Sequence, residues 1–132
     1  MIKYILNTDT CIYWLKGNSN IEKHILQIGI EHISMTIITL CELYYGAYKS
    51  KQIEENVDLV NSMRSTIEIM HLTAHSAMIY GKIKAELETH GTTLDDADLL
   101  IGSIALENKC ELVTNNVKHF KRIHNLKVIN WA

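Results

Sequence analysis

The chain has no proline in its 132 residues, only six glycines and a single phenylalanine. With so few breakers, nothing marks a linker, a repeat or a low-complexity arm. Long apolar runs are missing as well. None approaches the roughly 20 residues that a membrane-spanning helix needs, and the opening Met1-Ile2-Lys3-Tyr4-Ile5-Leu6 is too brief for the apolar core of a secretory leader. The three cysteines, Cys11, Cys41 and Cys110, are odd in number and form no C-x-x-C pair. Such usage points to a reducing cytoplasm, with all three as core or half-buried thiols. An excess of positive charge is also absent. Thirteen Lys and Arg against fifteen Asp and Glu leave a formal charge of −2, which excludes a protein that coats nucleic acid by bulk charge. A nucleic-acid enzyme survives that exclusion, because it needs only a local basic patch and a bound cation would add charge.

What is present suits one domain over residues 1–132, since 47% of the residues are apolar and can fill a core. Short apolar stretches at 2–6, 32–35, 67–70, 111–114 and 127–129 read as strands. Between them lie helical patterns. The first runs over Cys11–Leu15 after a break at Asn7–Thr10, and Ser19 or Asn20 caps the second. A third opens at Thr36 with Ile37, Leu40, Tyr44 and Ala47 near the 3.6 period, and a fourth carries Ile53, Val57, Val60 and Met63. A long helix is capped by Thr73 and ended by Gly91, and another starts near Thr93, with Asp96 in a capping-box-like position. Strands separated by helices imply parallel pairing through right-handed crossovers. The expected fold is therefore a three-layer α/β domain, with a central parallel sheet of four to five strands flanked by helices. In such sheets ligands bind at the carboxyl ends of the strands.

Oxygen ligands stand at four of those ends: Asn7-Thr8-Asp9 after the first strand, Glu42 one turn into the helix after the second, Asp95-Asp96-x-Asp98 ahead of the Leu99 helix, and Asn115-Asn116 after the fourth. Each alone has a plain structural reading. Glu42 could sit on a solvent face, acids in a helix first turn serve the macrodipole, and asparagines are ordinary turn residues. Together, on one sheet edge and without zinc-type Cys or His spacing, they suit a hard cation, Mg²⁺ or Mn²⁺. None of the seven histidines is assigned to metal or catalysis. The stretch Lys118, His119, Lys121, Arg122, His124 and Lys127 could grip phosphates or be plain surface. Tyr44, Tyr45 and Tyr48 suit a core or dimer interface better than base stacking.

The segment Leu6-Asn7-Thr8-Asp9-Thr10-Cys11-Ile12-Tyr13 resembles the opening motif of the VapC toxins, PIN-domain ribonucleases in which position 7 is normally aspartate. Ile38-Thr39-Leu40-Cys41-Glu42-Leu43-Tyr44-Tyr45-Gly46 resembles their second motif, Leu94-Asp95-Asp96-Ala97-Asp98-Leu99-Leu100-Ile101 their third, and Leu112-Val113-Thr114-Asn115-Asn116-Val117-Lys118-His119-Phe120 their fourth. The close, Val128-Ile129-Asn130-Trp131, is family-like too. The resemblance implies a PIN-like fold and Mg²⁺- or Mn²⁺-dependent cleavage of RNA, frequently tRNA. It assigns Asn7, Glu42, Asp98 and Asn116 to the catalytic metal site. It further implies a cognate VapB-type antitoxin, a homodimer, contact with operator DNA only through the antitoxin, and a cytoplasmic location away from membranes.

Asn7 departs from the pattern. An amide offers one neutral oxygen where a carboxylate offers two and a charge, so weakened metal binding and poor cleavage are expected. Asn for Asp is a nearly isosteric exchange, of the kind made to silence a toxic nuclease; natural loss of activity gives the same sequence. Asp9 sits where the family often has a non-ligating polar residue, and whether it, Asp95 or Asp96 compensates stays open. Two other functions compete. A receiver-type domain needs an acid after the middle strand, where His71-Leu72-Thr73 stands. A PIN domain without catalysis, serving only as an antitoxin-binding co-repressor, is the alternative that Asn7 keeps alive.

Overall fold

Five short apolar stretches become the strands of one sheet in the computed structural model, which describes residues 2–132. They are β1 (Tyr4–Leu6), β2 (Ile33–Thr36), β3 (Glu68–Met70), β4 (Glu111–Val113) and β5 (Val128–Ile129), ordered β3-β2-β1-β4-β5. Every pairing is parallel, with Ile5 opposite Ser34 on one side and Leu6 opposite Val113 on the other. The connections carry α1 (Thr8–Leu15), α2 (Ser19–Ile28), α3 (Ile37–Lys49), α4 (Ile53–Thr66), α5 (Ala74–Thr89), α6 (Asp96–Glu107) and α7 (Val117–Phe120).

The strands are apolar on both faces because helices cover both. Alternation sends Ile5 and Leu6, each fully buried, to opposite sides. Leu6 joins Cys11, Ile21, Ile25, Met35, Leu40 and Val60 beneath α1–α4. Ile5 joins Leu99, Ile101, Ile104, Leu112 and Phe120 beneath α5, α6 and α7. Chain order runs outward from β1 through β2 to β3, then returns by α5 and α6 to β4 on β1's other side. The switch point therefore lies between the carboxyl ends of β1 and β4, the place where sheets of this kind bind ligands. Asn7 stands there, its backbone N–H donating to Val113 O at 2.8 Å.

Gly91 follows the end of α5 with φ +71°, the left-handed conformation expected at that position. Several details differ from the sequence reading. Helix α1 begins at Thr8, so Thr8–Thr10 form its first turn rather than a break, with Asn7 as N-cap residue. The α2 cap is Asn18, whose Oδ1 accepts from the backbone of Asn20 and Ile21. Helix α6 starts only at Asp96, and α7 was not foreseen. Cys11 and Cys110 are buried, but Cys41 is exposed. Tyr44 is half-buried, whereas Tyr45 and Tyr48 lie largely in solvent. Among the described residues, no helix is long and apolar enough to cross a membrane.

Candidate active site

Asn7 is 6% exposed, and its side chain is held by one hydroxyl. Thr114, fully buried just past β4, donates its single proton to the Asp9 carboxylate, with both oxygens at 3.2 Å. Its lone pairs then accept from Asn7 Nδ2 at 3.0 Å and from the Asn116 backbone N–H at 3.1 Å. Because the hydroxyl proton is committed to Asp9, the amide must turn its nitrogen toward Thr114. Asn7 Oδ1 is thereby left buried with no hydrogen-bond partner. An orphaned buried carbonyl oxygen costs about 1–3 kcal/mol, and a cation or a water held by one would relieve it. Asp9 has both oxygens engaged. It accepts from the Thr10 backbone N–H at 2.7 Å and the Asn115 backbone N–H at 3.0 Å as well as from Thr114, tying α1 to the loop after β4.

Glu42 reaches the same edge from α3. It is exposed, and the Thr8 hydroxyl donates to its Oε1 at 2.6 Å while lying 3.1 Å from Thr39 Oγ1. Asp98, from the first turn of α6, is half-buried and meets His119 Nε2 at 2.9 Å. Burial pushes the Asp98 carboxyl above its usual range; His119 opposes that shift, and the charges of Asp95 and Asp9 add to it. Asp98 thus feels the field of the Asn7–Asp9 end. The neighbouring acids divide. Asp95 is the exposed N-cap residue of α6. Asp96 instead turns to α5, where Lys84 Nζ and Tyr80 Oη each lie 2.8 Å from its Oδ1. Asn116 is exposed and enters the network through its backbone. Among the described residues no three His, Cys, Asp or Glu side chains form a metal-holding group.

The PIN domain family profile matches residues 4–126. Ribonuclease VapC2 of Rickettsia felis is 37% identical over 130 residues, 97% of each chain. The chain belongs to the VapC branch of the PIN-domain family. The tRNA(fMet)-specific endonuclease VapC of Salmonella typhimurium is 32% identical over 132 residues, the whole of both chains. Among solved structures, the DNA-bound VapBC of Salmonella typhimurium superposes with a TM-score of 0.94, at 32% identity and full coverage of both chains. VapBC2 of Rickettsia felis, bound to a DNA fragment from its promoter, gives 0.93 at 37% identity, again with full coverage of both. The α/β reading of the sequence and the VapC resemblance both hold.

In this VapC-family chain the sequence reading missed Thr8, Thr114 and His119. Thr8 and Thr114 lie within the quoted motifs, yet hydroxyls carry no distinctive spacing. His119 was read with a basic surface stretch, but its ring faces Asp98, packed edge-on against buried Phe120 with centroids 5.6 Å apart. A groove of about 400 Å³ opens beside Glu42, lined by Ile12, Leu15, Leu43, Ala47, Leu59 and Val60. A larger concavity, about 550 Å³, lies against α5 around Ile79, Leu87 and Arg122, and its lining includes none of Asp9, Glu42 and Asp98.

Proposed function

We propose that this chain is the toxin of a VapB–VapC pair, a Mg²⁺- or Mn²⁺-dependent endoribonuclease acting on tRNA whose cleavage is held low by Asn7. The buried, unpartnered Oδ1 of Asn7 carries the reading, because it lies at the switch point with Glu42 and Asp98 on the flanking helices. The residues fit a hard cation: oxygen donors on separate elements, one of them already desolvated. Asn7, Glu42 and Asp98 would hold the ion directly, and Asn116 through water. A bound divalent cation supplies a Lewis acid that activates water and offsets charge on phosphate oxygens. The chain's own residues do the positioning. Thr8 fixes one Glu42 oxygen, His119 orients Asp98, and Thr114 aims the Asn7 oxygen. Exposed Lys118 and Lys121 stand on the loop side, where backbone phosphates would pass.

The antitoxin reading draws on the relatives, which crystallised as VapBC complexes. The apolar groove beside Glu42 suits a segment of that partner, with a basic side chain reaching the acids. A second reading, a co-repressor without catalysis, is favoured by the missing carboxylate at position 7. One paired experiment decides between them. Cleavage of tRNA and the melting shift on adding Mn²⁺ are measured for the chain as it stands and for Asn7→Asp. The nuclease reading expects cleavage to rise by orders of magnitude and the Mn²⁺-dependent shift to grow in Asn7→Asp. If neither changes, position 7 is no ligand and the co-repressor reading stands.

A further inference from the structure

Thr114 has one proton, and two side chains compete for it. Asp9 takes it, and Asn7, which can donate where a carboxylate cannot, fits the lone pair left over. A carboxylate at position 7 would face the oxygen of a hydroxyl already committed elsewhere, in a place that is 6% exposed. A buried carboxylate at position 7 would then lack a donor and face the half-buried Asp9 carboxylate across the same hydroxyl, which costs stability. An amide at position 9 reverses the need: it can donate to Thr114, freeing the hydroxyl proton for position 7.

We propose that Asn7 and Asp9 are a matched pair set by Thr114, a positioning residue whose hydroxyl lets only one of positions 7 and 9 carry the carboxylate without loss. Asn7 is therefore more than a ligand with its charge removed. It is the partner that Asp9 requires in this chain, and the negative charge of the first motif resides at position 9. The inference rests on the proposed metal site only in its consequence for the cation. The hydrogen-bond coupling stands or falls without metal.

The exchange is not free. Asp9 now accepts from the backbone N–H groups of both Thr10 and Asn115, one on each oxygen, and an asparagine there has one oxygen for the two. The exchanged chain should thus recover most, not all, of the original stability.

The test is a double-mutant cycle on the full chain: the original, Asn7→Asp, Asp9→Asn and the double exchange, melted in EDTA and again with Mn²⁺. In EDTA, Asn7→Asp should melt roughly 5–10 °C lower, and the double exchange should melt above the sum of the two single effects. Repeating the cycle with Thr114→Val should erase the coupling, and with Thr114→Ser, which keeps the hydroxyl, should preserve it. Additive single effects in EDTA, or coupling that survives in Thr114→Val, would overturn the proposal. If Asn7→Asp does not fold, recovery of folded protein in the double exchange supports the pair and failure of both refutes it. The Mn²⁺ arm reads the metal site separately. Coupling in EDTA, with no added Mn²⁺ stabilisation of Asn7→Asp or of the double exchange, keeps the pair and rejects the nuclease site. Mn²⁺ stabilisation with additive EDTA effects does the reverse.

Discussion

At the scale of single residues the candidate site is a set of acids each held by a neighbouring side chain. Glu42 leans on Thr8, Asp9 on Thr114, and Asp98 on His119. Asp98 shows what that arrangement costs. Its carboxyl is pushed above the usual range mainly by burial. A folded chain with a raised acid binds more protons than the unfolded chain over the interval between the two values. Its contribution to stability is therefore greatest on the acid side and declines as pH rises through that interval. At neutral pH the penalty is fully present. Asp98→Asn removes it, and the new amide oxygen can still accept from His119 Nε2–H. We expect the metal-free variant to melt roughly 2–5 °C higher at pH 7, the gain shrinking toward pH 4, while any Mn²⁺-dependent shift is lost. Melting curves across that pH range check it; a gain that grows on acidification would contradict the burial explanation. The acids were legible as residues because their types and strand-end positions are visible in one dimension. The role of His119 was not, since it depends on a contact 21 residues away across two elements. Asp96 was misread for the same reason, its capping position being overridden by Lys84 and Tyr80 on α5.

Among the elements, short strands contribute little by themselves and the helices fix the edge on which the site is built. Helix α2 follows α1 through Lys16-Gly17-Asn18, with Gly17 at φ +85°. Asn18 caps α2 by accepting from two of its first free N–H groups, at 3.0 and 3.1 Å. Asn18→Ala should cost about 1 kcal/mol and lower the melting temperature by roughly 3–6 °C. Position 7 lies on the other end of α1, so Mn²⁺ response should be unchanged. Differential scanning calorimetry with and without Mn²⁺ measures both. A loss of metal response would mean that α1 shifts when α2 frays. This helix pair also shows where sequence reading stops. Periodicity located α2, but the sequence reading put its cap at Ser19 or Asn20, whereas the backbone turn at Gly17 places Asn18 there. Helix α7 is four residues long and has too few turns for a period to show. The strand order was constrained rather than read. Crossovers implied parallel pairing, while the return of β4 to the far side of β1 depends on which faces α5 and α6 bury.

At the scale of the whole molecule, the two layers of helices leave different surfaces. Beneath α1, α3 and α4 the groove beside Glu42 keeps apolar side chains at its mouth, with Ile12 38% and Leu59 42% exposed. Apolar surface of this kind, adjoining acids, is costly in water and suited to a partner segment with an apolar face and a basic end. Partner binding and catalysis can be separated at this groove. Leu59→Glu places a charge at its mouth without removing a core side chain, since Leu59 packs at the rim and Val60 fills the interior. The free variant should melt within about 2 °C of the original, as surface changes usually do. Co-expressed with a VapB-type antitoxin, the original should co-purify as a complex. Leu59→Glu should lose most of it, by roughly 10-fold or more in affinity, because a buried unpaired carboxylate costs several kcal/mol at an interface. The Asn7→Asp, Leu59→Glu double variant should then remain able to cut tRNA in the presence of antitoxin that silences Asn7→Asp alone. Retained silencing would place the antitoxin on another face and leave the groove without that role.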